Sequence, residues 1–370
     1  MHLSEAATPS FLVNRERVER NCARMLEKAR RSSVRLRPHV KTHKTLEGAR
    51  LQLGTATGPI TVSTLAEAEF YAAAGFDDIT WALPLDPAKL ERIDALARRC
   101  RLRLLIDHPD TVKAVEEYAR ARGGRYEVWL KVDSGARRSG VDPDSANAVE
   151  LARHIASSDH VELLGLLTHA GHSYQAESRE EILRIAAEEA AVLSRLRDRL
   201  ESPRLERSIG ATPTASVVER FPECEEVRPG NYIFFDAFQS RLGSCSIDEV
   251  AVSVLVAVIG LYPDQNKVIV DGGALALSKD AGPRHLDPEF GFGIVCDTSL
   301  RPLPMRLVSM SQEHGQIFAA EPGAFAGIGI GTKLRIIPNH SCLTAAMFDS
   351  YLVHDGEGRL LEEWRPVRGW

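Results

Sequence analysis

The feature that most constrains this fold is an alternation. Between about residue 12 and residue 230, short β-branched or apolar runs take turns with longer amphipathic segments at helical spacing. That order makes βα units, in which crossover helices cover both faces of a parallel sheet. Eight runs read as strands: Val34–Val40, Pro59–Ser63, Ile79–Leu83, Leu102–Ile106, Tyr126–Val132, Val161–Thr168, Leu205–Ile209 and Glu225–Arg228. Ala/Arg/Glu/Leu-rich stretches such as Asp110–Arg122, Asp144–Ala156 and Ser178–Leu200 supply helices between them. Eight units predict an α/β fold built on a (β/α)8 TIM-type barrel. An open doubly wound sheet fits less well, because no Gly-x-Gly-x-x-Gly turn follows the first strand.

After Asp236 the texture changes. Val250–Ile259, Lys267–Val270, Arg306–Ser309, Gln316–Phe318, Lys333–Ile337 and Ser350–Val353 read as strands joined by turn residues, with no helix-length pattern between them. A chain of 370 residues also exceeds one barrel of about 250. The expected division is a barrel over residues 10–236 and a β domain over 237–370, which residues 1–9 could join.

Charge narrows the partners. With 46 basic and 51 acidic residues the net charge is −5, and no basic face with interleaved aromatics recurs, so a nucleic acid is not expected. The start of the chain has neither a basic n-region nor an apolar h-region, and Val250–Leu261 falls short of the roughly 20 apolar residues that cross a bilayer. No membrane partner and a cytoplasmic location are expected. Six scattered cysteines without paired spacing fit reduced thiols better than a disulfide framework.

Chemistry concentrates first at Lys41, in the run Val34-Arg-Leu-Arg-Pro-His-Val-Lys-Thr-His-Lys44. Neighbouring positive charge disfavours an ammonium, and a lysine amine that is neutral near pH 7 can form a Schiff base with an aldehyde such as pyridoxal phosphate (PLP). Taken alone, a solvated basic loop explains the run equally well.

Barrel enzymes carry their sites at the C-terminal ends of the strands. Lys41, Ser63 and Thr64, Arg138, His169 to Tyr174, and Gly210 to Thr214 all fall there, although Thr64 with Glu67 also reads as a helix capping box. Ser208-Ile-Gly-Ala-Thr-Pro-Thr214, rich in small residues and hydroxyls, and Arg228-Pro-Gly-Asn-Tyr232 are glycine turns whose exposed backbone N–H groups suit a phosphate, or simply turns. In Pro338-Asn-His-Ser-Cys342, His340 and Cys342 at i and i+2 would share one face of a strand and could hold a metal with open positions. A packed imidazole beside a buried thiol fits the same pair.

Six motifs in order carry a resemblance: Pro38-His-Val-Lys-Thr-His-Lys44, His169-Ala-Gly-His-Ser-Tyr174, Arg228-Pro-Gly-Asn-Tyr232, Asp271-Gly-Gly-Ala-Leu-Ala-Leu-Ser-Lys-Asp280, Glu313-His-Gly315 and Pro338-Asn-His-Ser-Cys342. Together they resemble the metal-dependent D-serine dehydratase / D-threonine aldolase family of alanine-racemase-like, fold-type III PLP enzymes. The resemblance implies that Lys41 holds PLP as a Schiff base and that Arg138 bonds the ring phenolate oxygen. It further implies that His169 and Tyr174 line the ring and substrate, and that Gly210, Thr212, Gly230 and Asn231 cradle the phosphate. Arg228 would approach the pyridine nitrogen. His340 and Cys342 would hold a divalent metal, zinc, with Mn2+ or Mg2+ as alternatives, and the enzyme would be a homodimer.

The implied reaction is loss of the β-hydroxyl from a D-amino acid, D-serine giving pyruvate and ammonia. Lys41 would take the Cα proton and the metal would help the hydroxyl leave. Retro-aldol cleavage of D-threonine or 3-hydroxy-D-aspartate is the alternative, and a racemase or a non-catalytic PLP carrier is more remote. Two positions depart from the dehydratase pattern. Leu167 stands where a tyrosine is common, and Ala211 stands where a serine is common.

Overall fold

A computed structural model describes residues 2–319 and 323–370. The chain divides into two compact units, one formed by residues 1–22 with 231–366, the other by 23–230 with 367–370.

The second unit is the barrel. Eight parallel strands, β2 (Arg35–Leu36), β3 (Ile60–Val62), β4 (Asp78–Pro84), β5 (Arg101–Ile106), β6 (Tyr126–Lys131), β7 (Val161–Leu167), β8 (Glu206–Ile209) and β9 (Glu226–Val227), are ordered β2-β9-β8-β7-β6-β5-β4-β3. A parallel bridge between His39 and Thr61 joins the two ends of that order. All eight expected strands are present, and the helices begin where the sequence offers caps. Ser145 opens Ala146–Ala156, Ser178 opens Arg179–Arg199, and Thr64 opens Leu65–Ala73 by accepting the Glu67 amide at 3.1 Å.

The first strand is shorter than expected for a chemical reason. Its run toward Lys41 crosses Pro38, which has no N–H to give a ladder. The chain stays extended nonetheless, with Arg37 N–H donating to Val227 O at 2.9 Å and His39 N–H to Pro229 O at 3.0 Å.

Charged groups lie inside the barrel unit. Arg37, fully buried, pairs with Glu226 at 2.6 Å and Asp78 at 2.7 Å, and Arg103 reaches Asp78 at 3.1 Å. Burial works against the Glu226 charge, but Arg37 and Arg35 hold its carboxyl below the usual range. Each buried charge has a partner, which is the condition under which such a cluster is tolerated.

The other unit is an antiparallel barrel with an extension. β10 (Val252–Tyr262), β11 (Lys267–Val270), β12 (Gly293–Cys296), β13 (Pro302–Met310), β14 (Gly315–Ala319) and β15 (Lys333–Pro338) pair in the ring β10-β11-β14-β13-β12-β15-β10. β10 serves both sides of the ring, pairing β15 through Val254–Ala257 and β11 through Val258–Tyr262, with a bulge at Val258/Gly260 inside the second pairing. β1 (Ser10–Asn14), β16 (Tyr351–His354) and β17 (Leu360–Trp364) extend the sheet from β10.

β1 is therefore a strand of this sheet, whereas the division at 10–236 had assigned it to the barrel. Its Phe11 ring stacks at 4.9 Å from Tyr351 and 6.0 Å from Phe234. No helix among the described residues is long and apolar enough to cross a membrane, and all six cysteines are free thiols.

Candidate functional site

Lys41 lies in a single 3-10 turn, Val40–Thr42, beyond the end of β2. His39 caps that turn by accepting the Lys41 amide on Nδ1 at 3.4 Å. Burial, reinforced by the nearby Lys41, His169 and Arg228, holds His39 well below its ordinary pKa. The same two influences, burial and then Lys41, hold His169 well below its own. Two neutral imidazoles thus share the surroundings of one lysine amine.

The wider cationic crowd expected around Lys41 disperses. Lys44 turns to Glu67 and pairs with it at 2.9 Å. His43 is buried, accepts the Thr45 amide on Nδ1 at 3.0 Å and bonds Gln52 through Nε2 at 3.0 Å, and burial brings it down to about 4.

The loop after β7 carries His169 and then Tyr174, in the turn Gly171–Gln175. His169 Nδ1 bonds the Gly210 carbonyl at 2.6 Å. A carbonyl only accepts, so the ring proton sits on Nδ1 and Nε2 keeps its lone pair. Arg138 stands exposed in the loop after β6, and its charge is felt at His169 and Lys131.

Gly210 closes β8 with φ of 145°, and a Cβ there would lie 2.7 Å from the Arg228 backbone nitrogen. Only glycine fits, so the turn is lined by backbone. The short helix Thr212–Val217 follows with Ala211 at its N-cap and no side-chain cap. This is the consequence of alanine where a serine is common: no hydroxyl occupies the first-turn N–H groups. Gly230 is equally tight, its Cβ position being 2.7 Å from the His39 carbonyl oxygen.

Arg228 is buried and donates to the Ser208 hydroxyl, the Thr168 carbonyl and the Ile209 carbonyl, the last at 3.2 Å. Burial pushes its pKa down to about 10, with Glu226 and Glu189 holding it up. Leu167, the other departure, is a core residue packed with Leu105 and Trp129.

The second constellation lies in the β unit. His340 and Cys342 are not on a strand: β15 ends at Pro338, His340 is the N-cap of the helix Ser341–Ala345, and Cys342 sits in its first turn. The pair is nevertheless in contact. His340 Nδ1 faces Asp280 Oδ2 at 3.3 Å. Burial opposes the imidazolium, but hydrogen bonds to Asp280 and Cys342 prevail and hold His340 well above its ordinary value.

Asn231 belongs to this constellation too. Its side-chain amide donates to Asp236 at 2.9 Å and Ser341 at 2.8 Å, and reaches Cys342 Sγ at 3.6 Å. The Asn231 side chain is thus committed to the histidine–cysteine loop, which leaves its backbone for the phosphate turn. Among the described residues no set of three or more His, Cys, Asp or Glu is arranged to hold a metal ion. Among the described residues His340 and Cys342 therefore stand as a two-residue pair. Its chemistry suits a metal: a thiol, an imidazole oriented by a carboxylate, and an amide N–H toward the sulfur.

Sequence reasoning missed Glu189, Asp236 and the part played by Asp280. For Glu189 a signal existed. On helix Arg179–Arg199 the buried stripe runs Ile182, Ile185, Ala186, Glu189, Leu193, Leu196, so this carboxylate occupies a core position.

Comparison with known proteins covers both units. The alanine racemase N-terminal domain model matches residues 13–237, and the putative serine dehydratase domain model matches residues 251–354. D-threo-3-hydroxyaspartate dehydratase of Delftia sp. (strain HT23) is 37% identical over 98% of both chains, and D-serine dehydratase of Dictyostelium discoideum 36% identical over 98% of this chain and 97% of its own. D-threonine aldolase of Arthrobacter sp is 29% identical over 95% of this chain and 90% of its own. The solved Delftia dehydratase superposes with a TM-score of 0.94 at 36% identity over all of both chains. Solved variants of the D-threo-3-hydroxyaspartate dehydratase replace a histidine by alanine and, in a metal-free form, a cysteine two positions later by alanine.

Proposed function

We propose, from the premise that this chain belongs to the alanine-racemase-like D-serine dehydratase family, that it is a PLP- and metal-dependent lyase of β-hydroxy-D-amino acids that converts D-serine to pyruvate and ammonia. Dehydratases at 36–37% identity against an aldolase at 29% favour elimination over carbon–carbon cleavage. The histidine–cysteine spacing of the altered positions in the D-threo-3-hydroxyaspartate dehydratase variants matches that of His340 and Cys342, which supports a metal there.

The observation that carries the reading is the placing of Lys41 in the turn beyond β2, with the His39 imidazole capping that turn and the His169 imidazole near enough for the lysine charge to act on it. Lys41 would hold the cofactor through its amine and, once displaced by the substrate amine, take the Cα proton. Bound PLP supplies an electron sink for the Cα electrons, and a bound divalent metal, zinc by our assignment, supplies a Lewis acid for the β-oxygen.

The remaining roles belong to the chain. Thr212 and Gly230 would face the phosphate through backbone N–H groups and one hydroxyl, a reading supported by the uncapped helix start at Thr212, while Gly210, whose own N–H is held by Glu189, would line the phosphate turn without donating to it. Asn231 would contribute there through its backbone alone, since its amide is engaged elsewhere. Arg138 would bond the ring oxygen, and Tyr174 and His169 would line the ring and substrate. Arg228, still a donor at neutral pH, is assigned to the pyridine nitrogen. His340 and Cys342 would hold the metal. The same reading makes the protein a cytoplasmic homodimer.

Borohydride reduction of the PLP-loaded protein followed by peptide mapping tests the assignment. The pyridoxyl label is expected on Lys41, and a label on Lys44 would overturn it.

A further inference from the structure

One buried carboxylate in the barrel has no part in the reaction described above, yet it holds two of the loops that the reaction needs. Glu189 is 1% exposed, on the core stripe of helix Arg179–Arg199. Its Oε1 accepts two backbone amides, from Ala170 at 3.0 Å and from Gly210 at 3.0 Å, and its Oε2 accepts the Thr214 hydroxyl at 3.2 Å. Ala170 follows His169 in the loop after β7. Gly210 lies in the turn after β8, and Thr214 in the first turn of the helix Thr212–Val217 that follows it.

Gly210 is pinned through both of its flanking peptide groups. Its N–H goes to Glu189 and its C=O takes the His169 Nδ1 proton at 2.6 Å. A carboxylate desolvated in the core is costly, and burial pushes this one above the usual range, opposed by those same hydrogen bonds. An apolar residue at the same stripe position would avoid that cost, but it would leave two buried amides unpaired.

We propose that Glu189 is a positioning residue that locks the phosphate-binding turn at Gly210–Thr214 and the imidazole of His169 into one preorganised unit. The inference rests on the PLP reading. The requirement is for an acceptor of the right length, not for a charge. The substitution Glu189→Gln would keep an oxygen for both amides and offer an N–H to the Thr214 hydroxyl, whereas an aspartate side chain is one methylene short of them.

The test compares the parent with E189A, E189Q and E189D, each stripped of cofactor and titrated with PLP and with pyridoxal, which lacks the phosphate. E189A and E189D should lose at least about tenfold of the parent's preference for PLP over pyridoxal, the equivalent of one hydrogen bond to a charged group, while E189Q stays within about threefold. If E189A fails to fold, the contrast between E189D and E189Q decides. The inference is overturned if E189Q loses as much as the shorter variants, or if those variants weaken PLP and pyridoxal alike, as a merely structural residue would. A parent with no preference for PLP would instead sink the phosphate assignment and this inference with it.

Discussion

His169 donates its Nδ1 hydrogen to the carbonyl oxygen of Gly210 at 2.6 Å, which ties the loop after β7 to the turn after β8 and fixes the tautomer of the ring. With burial and the charge of Lys41 keeping the ring neutral, its Nε2 is a proton acceptor at neutral pH. Replacing His169 by phenylalanine keeps an aromatic plane and removes both nitrogens. With Lys41 as the proposed base and His169 lining the ring and substrate, we expect H169F to retain PLP but lose about tenfold in kcat/KM, the scale of one hydrogen bond to a charged group. Steady-state kinetics beside cofactor absorbance check this, and a variant within threefold of the parent, roughly 0.7 kcal/mol, would contradict it.

Metal dependence follows from the His340/Cys342 pair. EDTA should abolish turnover, and C342A should lose both metal and activity. D280N, which keeps the shape of the carboxylate behind His340 but weakens its hold on the ring, should bind metal about 10- to 100-fold more weakly. Metal content by mass spectrometry, read with activity, decides the matter. Full activity in EDTA would contradict the dependence.

A second consequence concerns pH. His43 is buried and neutral, brought down to about 4 from an unfolded value near 6.5. Between those values the unfolded chain binds a proton that the folded chain does not, so stability rises with pH across that window and is flat above it. The His43 contribution is roughly 3 kcal/mol, from about 1.4 kcal/mol per pH unit. Denaturant unfolding between pH 4.5 and 7 should show a shallower slope for H43N than for the parent, and an unchanged slope would contradict the assignment.

Much of this was legible in the sequence, and the exceptions have physical reasons. The barrel strands were readable because buried parallel strands are largely continuous apolar runs, but the first was drawn on to Val40, four residues beyond Leu36 where its ladder ends ahead of Pro38. β1 was not readable, since its Phe11-Leu12-Val13 core runs straight into helix Arg15–Arg31 and its partners β10 and β16 lie more than 200 residues away. β17 escaped because Glu362 and Glu363 make its pattern polar, as suits an edge strand. β12 is only four residues long and opens on a glycine.

At the site, the His340/Cys342 pair was found through strand spacing, yet the two residues meet at a helix start. The role of the Asn231 amide depended on Ser341 and Cys342, 110 residues further along, which no local pattern could reveal. Glu189 was visible as a carboxylate on an apolar stripe, but only its fold partners give it meaning.

The most direct test of the central claim is product analysis of the PLP- and zinc-loaded protein incubated separately with D-serine, D-threonine and D-threo-3-hydroxyaspartate. Pyruvate and ammonia in equal amounts from D-serine, absent with L-serine and abolished by EDTA, is the predicted result. Glycine and acetaldehyde from D-threonine without pyruvate from D-serine would contradict it and make the protein an aldolase.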